Sequence, residues 1–163
     1  MLLIPNIYFL WIGFFEPAVN LRAIEWKGDC IENGRTWPDN MLSSANGKLK
    51  NFTYETFNTS CIFHLNTKAF SSSQYDAIEN LDLKKTQLNS SVFEDFVFKF
   101  KHLKTLDLTN NNLEKITTNL QSHLPNLSRL IIRENPNLSC ECATIQNLKY
   151  LHNNTVQFGI LHQ

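Results

Sequence analysis

Residues 103–113 read LKTLDLTNNNL, and the apolar spacing in this stretch belongs neither to an amphipathic helix nor to a plain strand. Leu103, Leu106, Leu108, Asn111 and Leu113 spell L-x-x-L-x-L-x-x-N-x-L. The leucines place apolar side chains on one face of a short strand. The turn after it needs a residue that can satisfy buried backbone groups, and Asn111, with both donors and an acceptor, fits that position.

Recurrence at a fixed period separates a structural repeat from an accident. Twenty-five residues upstream, Ile78, Leu81, Leu83, Thr86 and Leu88 keep the same spacing, with Thr in the Asn slot. Twenty-four residues downstream, Leu127, Leu130, Ile132 and Asn135 keep it again. The connecting segments stay in phase: Tyr75, Phe100 and Leu124 each precede their copy's first apolar residue by three, and Phe96 matches Leu120. The pattern resembles the leucine-rich repeat, whose period runs from about 20 to 29 residues. The expected fold class is therefore α/β, a short solenoid of about three repeats over residues 78–138 with a parallel concave sheet.

The 163 residues suggest a single domain, long enough for a modest core. Fifteen basic and fifteen acidic residues give zero formal charge, and no Lys/Arg run is interleaved with aromatics. That removes the electrostatic footprint of a nucleic-acid binder and makes an anionic membrane surface a poor partner.

Residues 1–15, MLLIPNIYFLWIGFF, form an apolar run interrupted at Asn6 and stopped by Glu16 and Pro17. The run is too short for a comfortable membrane span but suits the apolar region of a signal peptide over residues 1–20, with cleavage between Ala18 and Ala23. It lacks a basic residue before the apolar core and a small-x-small site after it; a retained anchor helix or a buried strand is the alternative. Secretion predicts glycosylation, and six N-x-S/T acceptors occur, at Asn51, Asn58, Asn89, Asn126, Asn137 and Asn153. Composition alone would give roughly three, so the excess supports secretion without proving it. No membrane association is expected of the mature chain.

A solenoid exposes the apolar edge of its first repeat and needs an atypical terminal unit to cover it. Residues 24–77 match no repeat and contain Trp26, Trp37, Cys30, Cys61 and the strand-like Cys61–Leu65, so they are expected to form an N-terminal cap stapled by Cys30 and Cys61. A free-standing domain of that size would have a thin core. At the other end, NPNLSCEC at residues 135–142 resembles the opening of the cysteine-containing C-terminal cap of extracellular leucine-rich repeat domains, and Leu148 and Leu151 resemble its short helix. The layout over about residues 61–151 is similar to secreted arthropod repeat proteins and to Toll-type receptor ectodomains. The resemblance implies binding of other proteins or microbial ligands.

The departure from that family lies in residues 139–163. Its C-terminal cap has four cysteines, and here none follows Cys142. Cys140 and Cys142 are left over, because the N-terminal pair lies several strand spacings of about 4.8 Å away, beyond the roughly 7 Å limit between Cα atoms across a disulfide. In an oxidising compartment this means a bond to a second chain, free thiols, or a missing C-terminal part; the last is the expectation, with 139–163 a partial cap.

No catalytic set stands out. His64, His102, His123, His152 and His162 sit at no metal-ligand spacing, and no G-x-S-x-G, H-E-x-x-H or P-loop is present. Cys140-Glu141-Cys142 has no second cluster to complete a zinc site. Asp82 and Asp107 recur at the repeat period, which makes them a surface column and not an acid/base dyad. No cofactor and no enzymatic activity are expected.

The residues between the leucines point away from the core, and stacking aligns them into one face. They are Asn80, Asp82, Lys84 and Lys85, then Thr105, Asp107, Thr109 and Asn110, then Arg129, Ile131, Arg133 and Glu134. A face of both charge signs suits contact with another protein. The expected function is a secreted binding module, a fragment or co-subunit of an innate-immune or adhesion receptor. The alternative is a structural or remnant extracellular protein with no dedicated ligand, since fold alone does not give function.

Overall fold

The computed structural model describes residues 2–4, 21–28, 39, 42, 48–57, 67–116, 119–139 and 155–157. Seven short strands form one sheet in chain order: β1 (Leu2–Ile4), β2 (Ala23–Gly28), β3 (Asn51–Thr56), β4 (Asn80–Asp82), β5 (Thr105–Asp107), β6 (Arg129–Ile131) and β7 (Thr155–Gln157). Every neighbouring pair is parallel. Parallel neighbours need a crossover between them. Short helices occupy three of these: α1 (Ser72–Tyr75), α2 (Ser90–Val97) and α3 (Leu120–His123). The architecture is α/β with a parallel sheet and little helix.

The three copies align without a slip. Asn80, Thr105 and Arg129 are partners across β4, β5 and β6, as are Leu81, Leu106 and Leu130, and Asp82, Asp107 and Ile131. The middle row is buried, together with Leu83, Leu88, Leu103, Leu108, Leu113, Leu127 and Ile132. One core cluster collects these residues and the inward side of α2, where Phe93, Phe96 and Val97 are buried. Asn89 caps that helix, its side chain accepting from the Val92 amide at 2.9 Å. The in-phase aromatics meet as rings: Phe96 and Phe100 lie 5.1 Å apart, Tyr75 and Phe100 4.9 Å, and Phe70 contacts both phenylalanines from the preceding segment.

The chain leaves β4, β5 and β6 in the same way. Lys85, Asn110 and Glu134 each follow their strand by three residues, and each has φ of 55–56°. Asparagine tolerates this left-handed conformation better than Lys or Glu. The turn then closes on a buried polar ladder. Asn111 accepts at Oδ1 from the Thr86 amide, the Thr86 hydroxyl and the Leu88 amide at 2.9–3.1 Å, and its Nδ2 donates to the Leu83 carbonyl at 2.6 Å. Asn135 repeats this one layer on, accepting from the Leu113 amide and donating to the Leu108 carbonyl. Each asparagine thus completes the turn of the copy before it. In the first copy Thr86 fills the slot, its hydroxyl donating to Asn111 Oδ1 at 2.9 Å and lying 3.4 Å from the Leu83 carbonyl.

The parallel ladder also runs through the segment that matches no repeat. β2 and β3 pair over six residues, and β3 pairs with β4 so that Phe52 faces Leu81. Ile24, Trp26, Phe52 and Tyr54 are buried on the same side as the leucines. The segment joins the core through Gln74 as well: its side-chain oxygen accepts from the Ser71 amide at 2.7 Å, and its nitrogen donates to the Leu42 carbonyl. Cys30, Cys61, Cys140, Cys142, the stretch Cys61–Leu65, and Leu148 and Leu151 lie outside the described residues, as does the apolar run beyond Ile4.

Candidate functional site

The side of the sheet opposite the leucines carries the candidate face. Its first row is Asn51, Asn80, Thr105 and Arg129, and its second is Thr53, Asp82, Asp107 and Ile131. These eight residues, with Leu81 and Lys84, line a shallow concavity of about 380 Å³. Alternation along each three-residue strand forces the arrangement, because the central leucine points inward and its two neighbours point out.

The face is less open than alternation alone suggests. Asp107 and Ile131 are 9 % and 8 % exposed, whereas Arg129 is exposed. Asp107 is held by Thr109, whose amide and hydroxyl both donate to its Oδ1, at 3.0 and 2.6 Å. Lys84 bridges the acid column, 2.8 Å from Asp82 Oδ2 and 3.3 Å from Asp107 Oδ2. Asp82 Oδ1 is buried and has no hydrogen-bond partner among the described residues. Burial holds the Asp82 carboxyl above its ordinary range against the opposing pull of Lys84, and the Asp107 and Glu55 charges add to the rise. Burial pulls the Lys84 ammonium down, but the hydrogen bond to Asp82 and the charges of both aspartates outweigh it and leave its pKa raised.

Beyond the second row, Lys85 pairs with Glu55 at 3.0 Å, and Lys27 with Glu25 at 2.5 Å. Asn110 donates to Glu134 at 3.1 Å. Arg133 is exposed beside Glu134. Along the near edge of the first row Glu79 sits between Lys50 and Lys104, at 2.9 and 2.8 Å, and these two ammonium groups hold its carboxyl down to about 2, the Lys104 hydrogen bond contributing most.

The twelve face residues read from the sequence fall on β4, β5, β6 and the turns after them, and the concavity joins seven of them directly: Asn80, Asp82, Lys84, Thr105, Asp107, Arg129 and the nearly buried Ile131. Lys85, Thr109, Asn110, Arg133 and Glu134 lie past the strand ends. Sequence spacing missed Asn51, Thr53, Glu25, Lys27 and Glu55 as face residues. The signal for them is the apolar/polar alternation of IEWK at 24–27 and FTYE at 52–55.

Four glycosylation acceptors are described, and all four are exposed: Asn51 on the first row, Asn89 at the cap of α2, Asn126 and Asn137. Asn126 donates to the Lys101 carbonyl and Asn137 to Asn112 Oδ1. Asn58 and Asn153 lie outside the described residues. Among the described residues no group of three His, Cys, Asp or Glu side chains is placed to hold a metal ion, and no helix is long and apolar enough to cross a membrane. No protein-family model matches this chain, and no curated protein matches it in sequence.

Proposed function

We infer that the chain is an extracellular leucine-rich repeat module that binds another protein through the concave side of its sheet. The periodic strands, the buried leucine row and the asparagine ladder support the solenoid reading. The apolar composition of residues 1–15 and the six acceptors support secretion and glycosylation, whereas the pairing of Leu2–Ile4 with β2 favours the alternative of a retained strand. The observation that carries the binding role is the open face itself: two in-register rows that change from Asn to Thr to Arg, and from Asp to Asp to Ile, while the row beneath them stays leucine. Side chains that vary on an invariant scaffold suit recognition of one partner. A place as fragment or co-subunit of an innate-immune or adhesion receptor follows from the resemblance alone.

One observation favours the second reading, a structural protein with no dedicated ligand. Lys27, Lys84 and Lys85 are already paired with carboxylates of the same face. The test is an array of extracellular proteins exposed to the secreted chain and to its Thr105→Trp variant. A partner bound by the first and lost by the second is the expected result; binding to none, or binding indifferent to Thr105→Trp, sinks the reading. A partner linked through Cys140 or Cys142 is part of the same proposal. It predicts a dimer band on non-reducing electrophoresis that disappears in the double Ser variant of these two residues.

A further inference from the structure

We propose that the open face takes an extended protein segment bearing one basic and one acidic side chain, the basic group seated on Asp82 and the acidic group on Arg129. This deepens the protein-binding reading and rests on it. The charges of the face do not cancel locally. Lys84 is a single ammonium serving two carboxylates, at 2.8 and 3.3 Å, so the Asp82–Lys84–Asp107 group carries one net negative charge. The exposed side chain of Arg129, on the same concavity, has no ion pair or hydrogen bond among the described residues and carries one uncompensated positive charge. Each lysine of the face has a carboxylate partner; the arginine does not.

The second observation is independent of charge. Asp82 Oδ1 is a buried acceptor without a donor. Such a group loses its hydration on folding and recovers the loss only when a donor reaches it. Asp82 lines the concavity; its Oδ1 is covered in the free protein, so the carboxylate turns outward to meet a partner's ammonium or guanidinium, which supplies both the donor and the countercharge. Burial disfavours the Asp82 carboxylate in the free protein, and a cation at that place reverses the preference.

Register sets the spacing the partner must have. Asp82 pairs with Asp107 and Asp107 with Ile131, which lies two residues past Arg129. Two strand spacings of about 4.8 Å and a two-residue rise of about 6.6 Å put the two sites about 12 Å apart on the diagonal. A free amino acid or a zwitterionic lipid headgroup is too short to bridge them, and a single unpaired cation cannot track a run of phosphates. An extended polypeptide covers the distance in four residues at about 3.3 Å each, an even step that also leaves both charged side chains on one face. Thr105 and Asn80 lie on the path as neutral polar contacts, and Ile131 as an apolar one.

The experiment uses the full secreted chain and synthetic peptides of a Gly/Ser/Thr background in four forms: Lys and Glu separated by three residues in either order, Lys alone, and Glu alone. Binding is followed by NMR up to millimolar peptide. One of the two-charge peptides is expected to bind about tenfold tighter, or more, than either single-charge peptide. Arg129→Glu should abolish that gain and restore it for the peptide whose Glu is changed to Lys, and Asp82→Asn should remove the advantage of the Lys only. Equal binding by all four peptides, no binding by any, or indifference to Arg129→Glu overturns the proposal, provided the thermal unfolding of that variant matches the parent. The array separates the two readings. A partner lost with Thr105→Trp but retained with Arg129→Glu keeps the protein-binding role and overturns the charge pairing, whereas one retained with both overturns each.

Discussion

On the inner side of the sheet the residue at a given register position barely changes from strand to strand: Phe52, Leu81, Leu106 and Leu130 form one buried row. On the outer side, one residue away in each strand, the row runs from Asn51 and Asn80 to the smaller Thr105 and then to the large, charged Arg129. The two sides belong to the same backbone and differ only in what they meet. Inner side chains meet their own copies in the adjacent strands, so any departure leaves a void or a clash in a close-packed interior. Outer side chains meet solvent, a partner or each other, and their identity is constrained only where an ion pair or turn uses them.

The comparison is open to direct attack. Truncating the inner row should have the largest effect: Leu106→Ala removes a fully buried side chain with a copy on either side and is expected to cost about 4 kcal/mol in chemical unfolding. Lys104→Ala, two residues away and exposed, should change stability by less than about 0.5 kcal/mol. Equal destabilisation by the two would erase the distinction between the sides. Asn111→Ala comes next, at about 3 kcal/mol, because it strips partners from the Leu83 carbonyl and from the Thr86 and Leu88 amides together. Asn112→Ala, half-buried in the same turn, serves as its control and should cost far less.

The smallest expected effect lies at the edge of the outer side. Glu79 keeps its charge well below the usual range because Lys104 and Lys50 both bond to it. Its folded pKa is below its unfolded value, so what it adds to stability is complete above about 4.5 and is lost as the pH falls toward about 2. An NMR titration of the Glu79 carboxyl should show a midpoint below the ordinary carboxylate range that rises in Lys104→Ala; solvent screening at this exposed site keeps both the shift and the change in the unfolding midpoint at neutral pH small. A midpoint unmoved by that substitution would mean the ion pairs are not formed in solution.

How much of this could be read beforehand follows from which interactions are periodic. The leucines and the Asn111 and Asn135 positions repeat every 24 or 25 residues, because each copy meets an identical neighbour, and spacing alone reveals them. β2 and β3 escaped the same reading for two reasons. Their inward residues are Trp26, Phe52 and Tyr54 in place of leucine, and the strands lie 28 and 29 residues apart, outside the phase of the later copies. The outer face was legible as a set of positions but not as a set of pairings. That Lys84 reaches back to Asp82 and across to Asp107, or that Thr109 holds Asp107, depends on side-chain directions that no spacing encodes. The near-burial of Ile131 was hidden for the same reason.

The asparagine ladder also gives the molecule a direction. Asn111 finishes the turn of the copy before it, and Asn135 the turn of the copy after that, so both buried asparagine closures among the described residues are supplied by the later copy to the earlier one. Removing layers from the two ends is therefore not symmetric. A cut that takes away Asn135 strips the Leu113 amide and the Leu108 carbonyl of a buried partner, while a cut that removes the copy holding Leu83, Thr86 and Ser90 leaves the Asn111 side chain and the exposed Glu114 and Lys115 amides facing water, where solvent can replace their partners. Unzipping should accordingly begin at the high-numbered end and travel toward β2, one turn at a time.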